Sequence, residues 1–321
     1  MAAGRCHFQT MDKLTLQAPA KLNLLLDITG KRPDGYHEVR MIMQTVRWHD
    51  VLTLEKTGLP GIFFRVTDPE GRTLSEEESG IPSDGRNLVL KAAELLSEGT
   101  DIFSGLSITL EKHLPSQAGL GGGSSDAAAA LFGLDRLYGL GHSREELSRK
   151  ALRLGADVPF FLQGGTCLAE GIGEKLTKLE PVRLPHILIV KPKASLSTKL
   201  VYEICDKLPG TDHPDVAGFL RALSGKEHHP DTFLTTICAT MGNVMETAAF
   251  SICPEVRSLR DTLLDFDAET ALMTGSGSAV FGIFQKEENA RNAMDALRKE
   301  APDLSMMLTE THDFGVEEMP V

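Results

Sequence analysis

The sequence predicts an α+β fold in two domains, and three observations carry that expectation. Strand-like segments crowd the chain up to Val66, before any helical pattern begins. Helical and strand-like segments then follow in mixed order, unlike the regular alternation of a doubly wound sheet. The length of 321 residues suits two domains. A stretch bounded by Pro181 and Pro185 offers the boundary, giving domains 14–183 and 184–321 after an extension of residues 1–13.

The elements follow from local pattern. Leu14 to Ala18 alternates as a strand does, and Pro19 is expected to break it. Lys21 to Ile28 is a second apolar run, and Pro33-Asp34-Gly35 marks a turn. His37 to Val46, Val51 to Glu55 and Ile62 to Val66 read as further strands, with Arg47 to Asp50 as a connection. The acidic stretch from Asp68 to Gly85 reads as surface loop. Asn87 caps a helix carrying Leu88, Leu90, Leu95 and Leu96, and Leu106 to Leu110 alternates as a strand. Helices are expected over Asp126 to Leu137 and, from a Ser143/Glu146 capping box, through Leu154. Pro159 forbids simple helical continuation there. Thr166 to Ala169 and His186 to Val190 read as strands. Helices are then expected at 198–208, 216–223, 233–249 and 255–264. Ala279 to Phe284 is a strand, Glu287 to Lys299 a helix, and Leu304 to Thr309 a last strand.

Composition narrows the class of function. At 41% hydrophobic and 24% charged, the chain can bury a sizeable core. A formal net charge of −12 argues against non-specific affinity for nucleic acid or anionic membrane. It leaves a phosphate-bearing ligand open, because local donors decide that. The five cysteines are scattered, so neither a disulfide framework nor a zinc site is expected and a reducing cytoplasm is. No apolar run reaches membrane-spanning length, and Met1 to Thr10 has no apolar core of a secretory signal. Oligomeric state is not legible.

The most informative stretch is Pro115-Ser116-Gln117-Ala118-Gly119-Leu120-Gly121-Gly122-Gly123-Ser124-Ser125-Asp126, followed by four alanines. Four glycines in five positions are costly unless the backbone must go where a Cβ would block it. A polar trio and a strong helix-former run come next. A loop that turns its N–H groups to one point, beside a helix N-terminus, suits a phosphate. A dinucleotide-binding turn is excluded, because Ser124 stands where a third Gly or Ala belongs and several residues separate strand from loop. A Walker loop is excluded because no lysine follows the glycines.

Three further constellations carry chemistry. In Ala18-Pro19-Ala20-Lys21-Leu22-Asn23-Leu24, a lone lysine would ordinarily be a solvated charge. Lys21 and Asn23 share one strand face, however, and can offer a cation and an amide to one ligand. In Arg32-Pro33-Asp34-Gly35-Tyr36-His37-Glu38 a turn explains the Pro-Asp-Gly but not the adjacent aromatic and imidazole. In Gly155-Ala156-Asp157-Val158-Pro159-Phe160-Phe161, Asp157 would ordinarily be a cap or turn residue, but its neighbours are small or apolar.

Pro-x-x-x-Gly-Leu-Gly-Gly-Gly-Ser-Ser resembles the phosphate loop of the GHMP kinase superfamily, and the other three motifs stand in that superfamily's order. The Ala-Pro-Ala-Lys-Leu-Asn-Leu and Arg-Pro-Asp-Gly-Tyr-His-Glu strings are similar to those of its branch acting on a cytidine diphosphate-linked methylerythritol. The resemblance implies a two-domain GHMP kinase fold with the active site in the cleft between the domains. It implies phosphorylation of the 2-hydroxyl of that acceptor in non-mevalonate isoprenoid precursor synthesis, with ATP as donor and Mg²⁺ entering with the nucleotide. Residues Pro115, Ser116, Gln117, Ala118, Gly119, Leu120, Gly121, Gly122, Gly123, Ser124 and Ser125 would hold ATP. Asp157 would be the base and Lys21 its electrostatic partner, with Asn23 orienting the substrate. Tyr36, His37 and, from the Lys191–Tyr202 segment, Tyr202 would clasp the cytosine. Thr274-Gly275-Ser276-Gly277-Ser278 resembles the third family loop with one substitution, so Gly275 and Ser276 would line the phosphates or substrate. Two other functions compete: a homoserine or mevalonate type of alcohol kinase, and a nucleotide-binding protein without catalysis. A pocket without a base needs no Tyr-His pair, and a degenerate kinase often loses Lys21 or Asp157.

Overall fold

The computed structural model describes residues 12–97, 105–208, 213–226 and 230–320, so most of the expected N-terminal extension lies outside the described residues. The chain opens on two long strands, β1 (Lys13–Lys31) and β2 (His37–Lys56), paired antiparallel end to end. Each was expected as two separate strands. Pro19 does not break β1, because the pairing shifts register between Pro19 and Lys21, and a bulge is where a strand tolerates proline. Arg47 to Asp50 likewise stay within β2, with His49 opposite Pro19 and Asp50 opposite Ala18. Further register shifts at Asn23/Leu25 and Ile28/Gly30 bend β1 along the stretch that carries Lys21 and Asn23.

β3 (Ile62–Thr67), β4 (Thr73–Leu74), α1 (Glu76–Ser79), α2 (Leu88–Ser97) and β5 (Leu106–Glu111) follow. The stretch expected as plain surface loop therefore holds a short strand and a helical turn, the latter closed by a Ser75/Glu78 capping box. α2 starts as expected, with Asn87 Oδ1 accepting from Val89 N at 2.8 Å. α3 (Gly122–Tyr138) begins four residues earlier than expected, inside the glycine run. Gly121 is its cap residue and no side chain caps it, so the Ser-Ser-Asp trio lies within the helix. α4 (Arg144–Leu154) opens on the expected capping box, and α5 (Val158–Gln163) starts at Pro159's neighbour. Pro159 sits in the first turn, where its missing N–H has no partner to lose. β6 (Thr166–Gly171) and the unforeseen β7 (Lys175–Lys178) complete this half.

The second half runs β8 (Ile187–Lys191), α6 (Thr198–Cys205), α7 (Val216–Ser224), α8 (Phe233–Cys238), β9 (Gly242–Asn243), α9 (Glu246–Ile252) and α10 (Pro254–Asp265). β10 (Thr270–Met273), β11 (Val280–Ile283), α11 (Glu287–Glu300), β12 (Ser305–Thr309) and β13 (Glu317–Glu318) end it. The helix expected over Phe233 to Ala249 is split. Gly242 and Asn243 pair instead with Leu25 and Leu26 of β1, a tertiary demand that overrides local helical preference.

Two sheets result. Among the described residues the larger has nine strands, along the path β13-β1-β2-β5-β3-β4, with β6 on β2, β7 on β6 and β9 on β1. The smaller is antiparallel, in the order β10-β11-β8-β12. One core lies under α2, α3 and α5, where Leu16, Leu54, Ala128, Leu131 and Phe160 are buried. In a second core the sheets meet, through Leu22, Leu24 and Ile42 on one side and Ile187, Ile189 and Phe281 on the other. That junction fixes β1 against the loop after β10. Among the described residues, no helix is long and apolar enough to cross a membrane.

Candidate active site

The glycine loop is held from both sides. On the strand side, Asp50 of β2 accepts from His113 N at 2.7 Å and Leu114 N at 2.8 Å, and takes the Lys112 ammonium. On the other, Lys21 N of β1 donates to Leu120 O at 2.9 Å, and Ala279 N donates to Ala118 O at 3.1 Å. Two glycines are sterically required. Gly119 has φ +77°, and a Cβ there would stand 2.2 Å from Thr274 O of the second loop. Gly121 has φ +72°, and a Cβ there would stand 2.6 Å from Phe161 Cζ and 3.0 Å from Lys21 Cγ. The stem of Lys21 thus runs directly beneath the loop.

A cavity of about 350 Å³ opens along this loop. It is lined by ten of the eleven residues expected to hold a nucleotide, Pro115 through Ser124. Ser125 is not among them; it is buried, and its hydroxyl has no partner. The opposite wall comes from Gly80 to Pro82 and from Arg86 to Val89. The floor includes Lys112 and Asp126. Burial alone would lower Lys112, but the carboxylates of Asp126 and Asp50 hold its ammonium above the ordinary lysine value. Burial pushes the Asp126 carboxyl well above the usual range against the pull of Lys112. One oxygen of Asp126 has no hydrogen-bond partner.

A second cavity of about 280 Å³ lies across the loop and shares Gly119 and Gly121 with the first. Lys21, Asn23, Asp157, Thr198, Tyr202, Gly275 and Ser276 line it, with Leu26, Val39, Met41, Ile172 and Met245 as apolar wall. Lys21 is only 4% exposed, and its ammonium donates to Asn23 Oδ1, as the shared strand face predicts. Burial lowers the Lys21 pKa below its ordinary value, while the nearby Asp157 charge opposes the fall. Asp157 caps α5 by position, yet its carboxylate makes no capping bond to that helix. It is left to face the cavity. Thr274 Oγ1 accepts from Asn23 N at 3.1 Å and donates to Gly119 O at 3.3 Å, tying both loops to β1. Asn243 donates to Met273 O and Gly275 O, both at 2.8 Å, so the break in the expected helix shapes the second loop.

At the aromatic end His37 and Tyr202 stack on each other, centroids 4.5 Å apart and planes 17° from parallel. His37 Nε2 lies 2.8 Å from Asp206 Oδ1. Tyr36 stands outside the cavity lining and is 62% exposed at the β1–β2 turn. Burial, with Asp157 nearby, pushes the Tyr202 phenol up to about 12. Lys191, in the segment leading to Tyr202, is buried and donates to Pro192 O and Ala194 O. Nothing in the residue pattern marks Asp206, and little marks the Gly80–Pro82 wall. The Ile81-Pro82 pair within an acidic stretch is the one local hint of that wall.

Family models agree with this architecture. The one described as GHMP kinases N terminal domain matches residues 87–165, and the one described as GHMP kinases C terminal matches 226–303. A homoserine kinase structure from Cytophaga hutchinsonii matches with TM-score 0.71, covering 98% of this chain and all of that one, at 20% identity. A crystal structure of 4-(cytidine 5'-diphospho)-2C-methyl-D-erythritol kinase has the same TM-score, 0.71, covering 93% and 99%, but at 33% identity. Shape therefore does not separate the two, and sequence does. A 4-diphosphocytidyl-2-C-methyl-D-erythritol kinase of Lachnospira eligens is 39% identical over 94% of this chain and 99% of its own length. The chain belongs to the 4-diphosphocytidyl-2-C-methyl-D-erythritol kinase family. The relative of that name from Bacillus subtilis is also 39% identical, over 88% of this chain and 92% of its own.

Proposed function

We propose that this chain transfers the γ-phosphoryl group of ATP to the 2-hydroxyl of 4-diphosphocytidyl-2-C-methyl-D-erythritol, in isoprenoid precursor synthesis. The observation that carries the reading is the shared wall: the loop cavity and the Lys21/Asp157 cavity have Gly119 and Gly121 in common. ATP lies along Pro115 to Ser124, its phosphates at the start of α3, where backbone N–H groups and the helix dipole favour anions. The acceptor lies on the far side. Asp157 takes the hydroxyl proton as that oxygen bonds to the γ-phosphorus and the bond to the β-phosphate oxygen breaks, releasing ADP. The Lys21 ammonium stabilises the charge that develops between them, and Asn23 orients the acceptor. Tyr36, His37 and Tyr202 hold the cytosine, and Gly275 and Ser276 close the side nearest the acceptor.

Two oxygen donors that line the loop cavity at the start of α3 fit Mg²⁺: the Ser124 hydroxyl and the unpartnered oxygen of Asp126. When bound with the nucleotide, the ion would supply charge neutralisation on the phosphates. We also assign the chain to the cytoplasm and divide it into domains 14–183 and 184–321.

Purified protein tests the reading. ADP release that depends on the cytidyl acceptor is the expected result. ADP release with homoserine or mevalonate instead would overturn it, and ATP binding with no turnover on any alcohol would favour a non-catalytic protein.

A further inference from the structure

Helix α6 ends in a residue that its own stability does not call for. Asp206 is its C-cap, and its backbone N–H bonds to Tyr202 O at 3.0 Å. A carboxylate at that position faces the negative end of the helix dipole, where a cation is favoured. Its partners lie far away in sequence. Oδ2 accepts from Lys31 at the end of β1 and Oδ1 from His37 at the start of β2, two residues that face each other across the hairpin. Those two hydrogen bonds hold the Asp206 carboxyl below its usual range, so it is the acceptor and His37 Nε2 carries the proton. Tyr202, one turn before Asp206 on the same helix, stacks on the His37 ring. The stack fixes the plane of the ring, and the carboxylate fixes which nitrogen turns towards α6. Nδ1 then points away from Asp206 and bonds no protein group among the described residues.

A neutral imidazole protonated at Nε2 presents a lone pair at Nδ1. Cytosine offers an exocyclic amine as donor at the position where uracil offers a carbonyl acceptor. We propose that Asp206 is a positioning residue for base selection: it holds the Nδ1 of His37 as an acceptor for the cytosine amine, and so disfavours uracil. The proposal rests on the cytidyl acceptor assigned above. Neither His37 nor Asp206 lines the cavity that holds Lys21 and Asp157, and Tyr202 links them to it, so the effect of Asp206 belongs to substrate binding rather than to the chemical step.

Two readouts on the full-length enzyme test it, with circular dichroism as the check that each variant folds. Nitrogen-15 NMR of labelled histidine should show His37 protonated at Nε2 in the unliganded enzyme and lose that single tautomer in Asp206→Asn, whose amide can either donate or accept. Steady-state kinetics should compare the cytidyl acceptor with its uridyl analogue. In Asp206→Asn the KM for the cytidyl acceptor should rise roughly tenfold with kcat and the KM for ATP little changed, and the cytidyl preference should narrow by a similar factor. Asp206→Glu should recover part of both. A proton on Nδ1 in the wild-type enzyme overturns the proposal. So does a folded Asp206→Asn that loses both acceptors equally, which is the mark of a merely structural contact. Wild-type enzyme that uses neither acceptor, with Nε2 protonated, strikes the cytidyl reading and its base selection while leaving the hold of Asp206 on His37 in place.

Discussion

The two cavities meet at Gly119 and Gly121 but are built from different material. The side proposed to hold the nucleotide is made of main chain: a loop of small residues, pinned through the backbone groups of Ala118 and Leu120, with a helix start at its end. The side proposed to hold the acceptor is made of side chains: Lys21, Asn23, Asp157, Thr198 and Tyr202, delivered by β1, the start of α5 and α6. A phosphate chain is the same in every kinase and is matched by N–H groups. An acceptor alcohol differs from kinase to kinase and needs particular side chains. Substitutions on the two sides should therefore fail in different ways.

The largest effect belongs to the acceptor side. Asp157→Asn should lower kcat by about a hundredfold or more, the scale of general-base assistance, with the KM for ATP unchanged in steady-state assays. Near-normal turnover would remove Asp157 from the chemistry and erase the distinction between the cavities. On the main-chain side, Gly121→Ala forces a positive φ on alanine and drives its Cβ against Phe161 and the Lys21 stem. Strain of about 1–3 kcal/mol is expected in thermal unfolding, together with a raised KM for ATP. Because Lys21 lies under this glycine, kcat should fall as well, the one place where the two sides cannot be separated.

A pH profile sharpens the acceptor side further. Burial lowers the Lys21 pKa, so the ammonium is lost at a lower pH than that of a free lysine as pH climbs. The kcat profile should show an alkaline fall below the usual lysine range, and Lys21→Arg should remove that limb at the cost of a lower plateau. The smallest effect should come from Gly123→Ala. A Cβ there meets nothing within 4 Å, so unfolding should shift by no more than about 0.5 kcal/mol and the KM for ATP should hardly move. A large loss at Gly123 would mean that bound phosphate, not the protein, sets the need for glycine along the loop.

Legibility divides along the same line. The glycine loop stood out because its demand is local: a run of glycines, then helix formers. Even so, its helix begins at Gly122 rather than Asp126, since an αL glycine starts it and no side chain caps it. The two strand breaks expected at Pro19 and at Arg47 to Asp50 are absent because each stretch pairs with the other, which a local pattern cannot register. The split of the expected helix at Gly242 has the same cause, a partner on β1 more than two hundred residues away in sequence.

Read without the fold, the chain already specified the mixed α+β class, the glycine loop running into a helix and the shared face of Lys21 and Asn23. These depend on backbone freedom, helix and strand period and residue type, all fixed by near neighbours. Only the folded chain brought the Lys21 ammonium beside Asp157, walled the glycine-loop cavity with Gly80 to Pro82, and set Asp206 on His37 across 169 residues. Those contacts are distances between remote segments, set by how β1, β2 and α6 pack, and no spacing along the sequence encodes them.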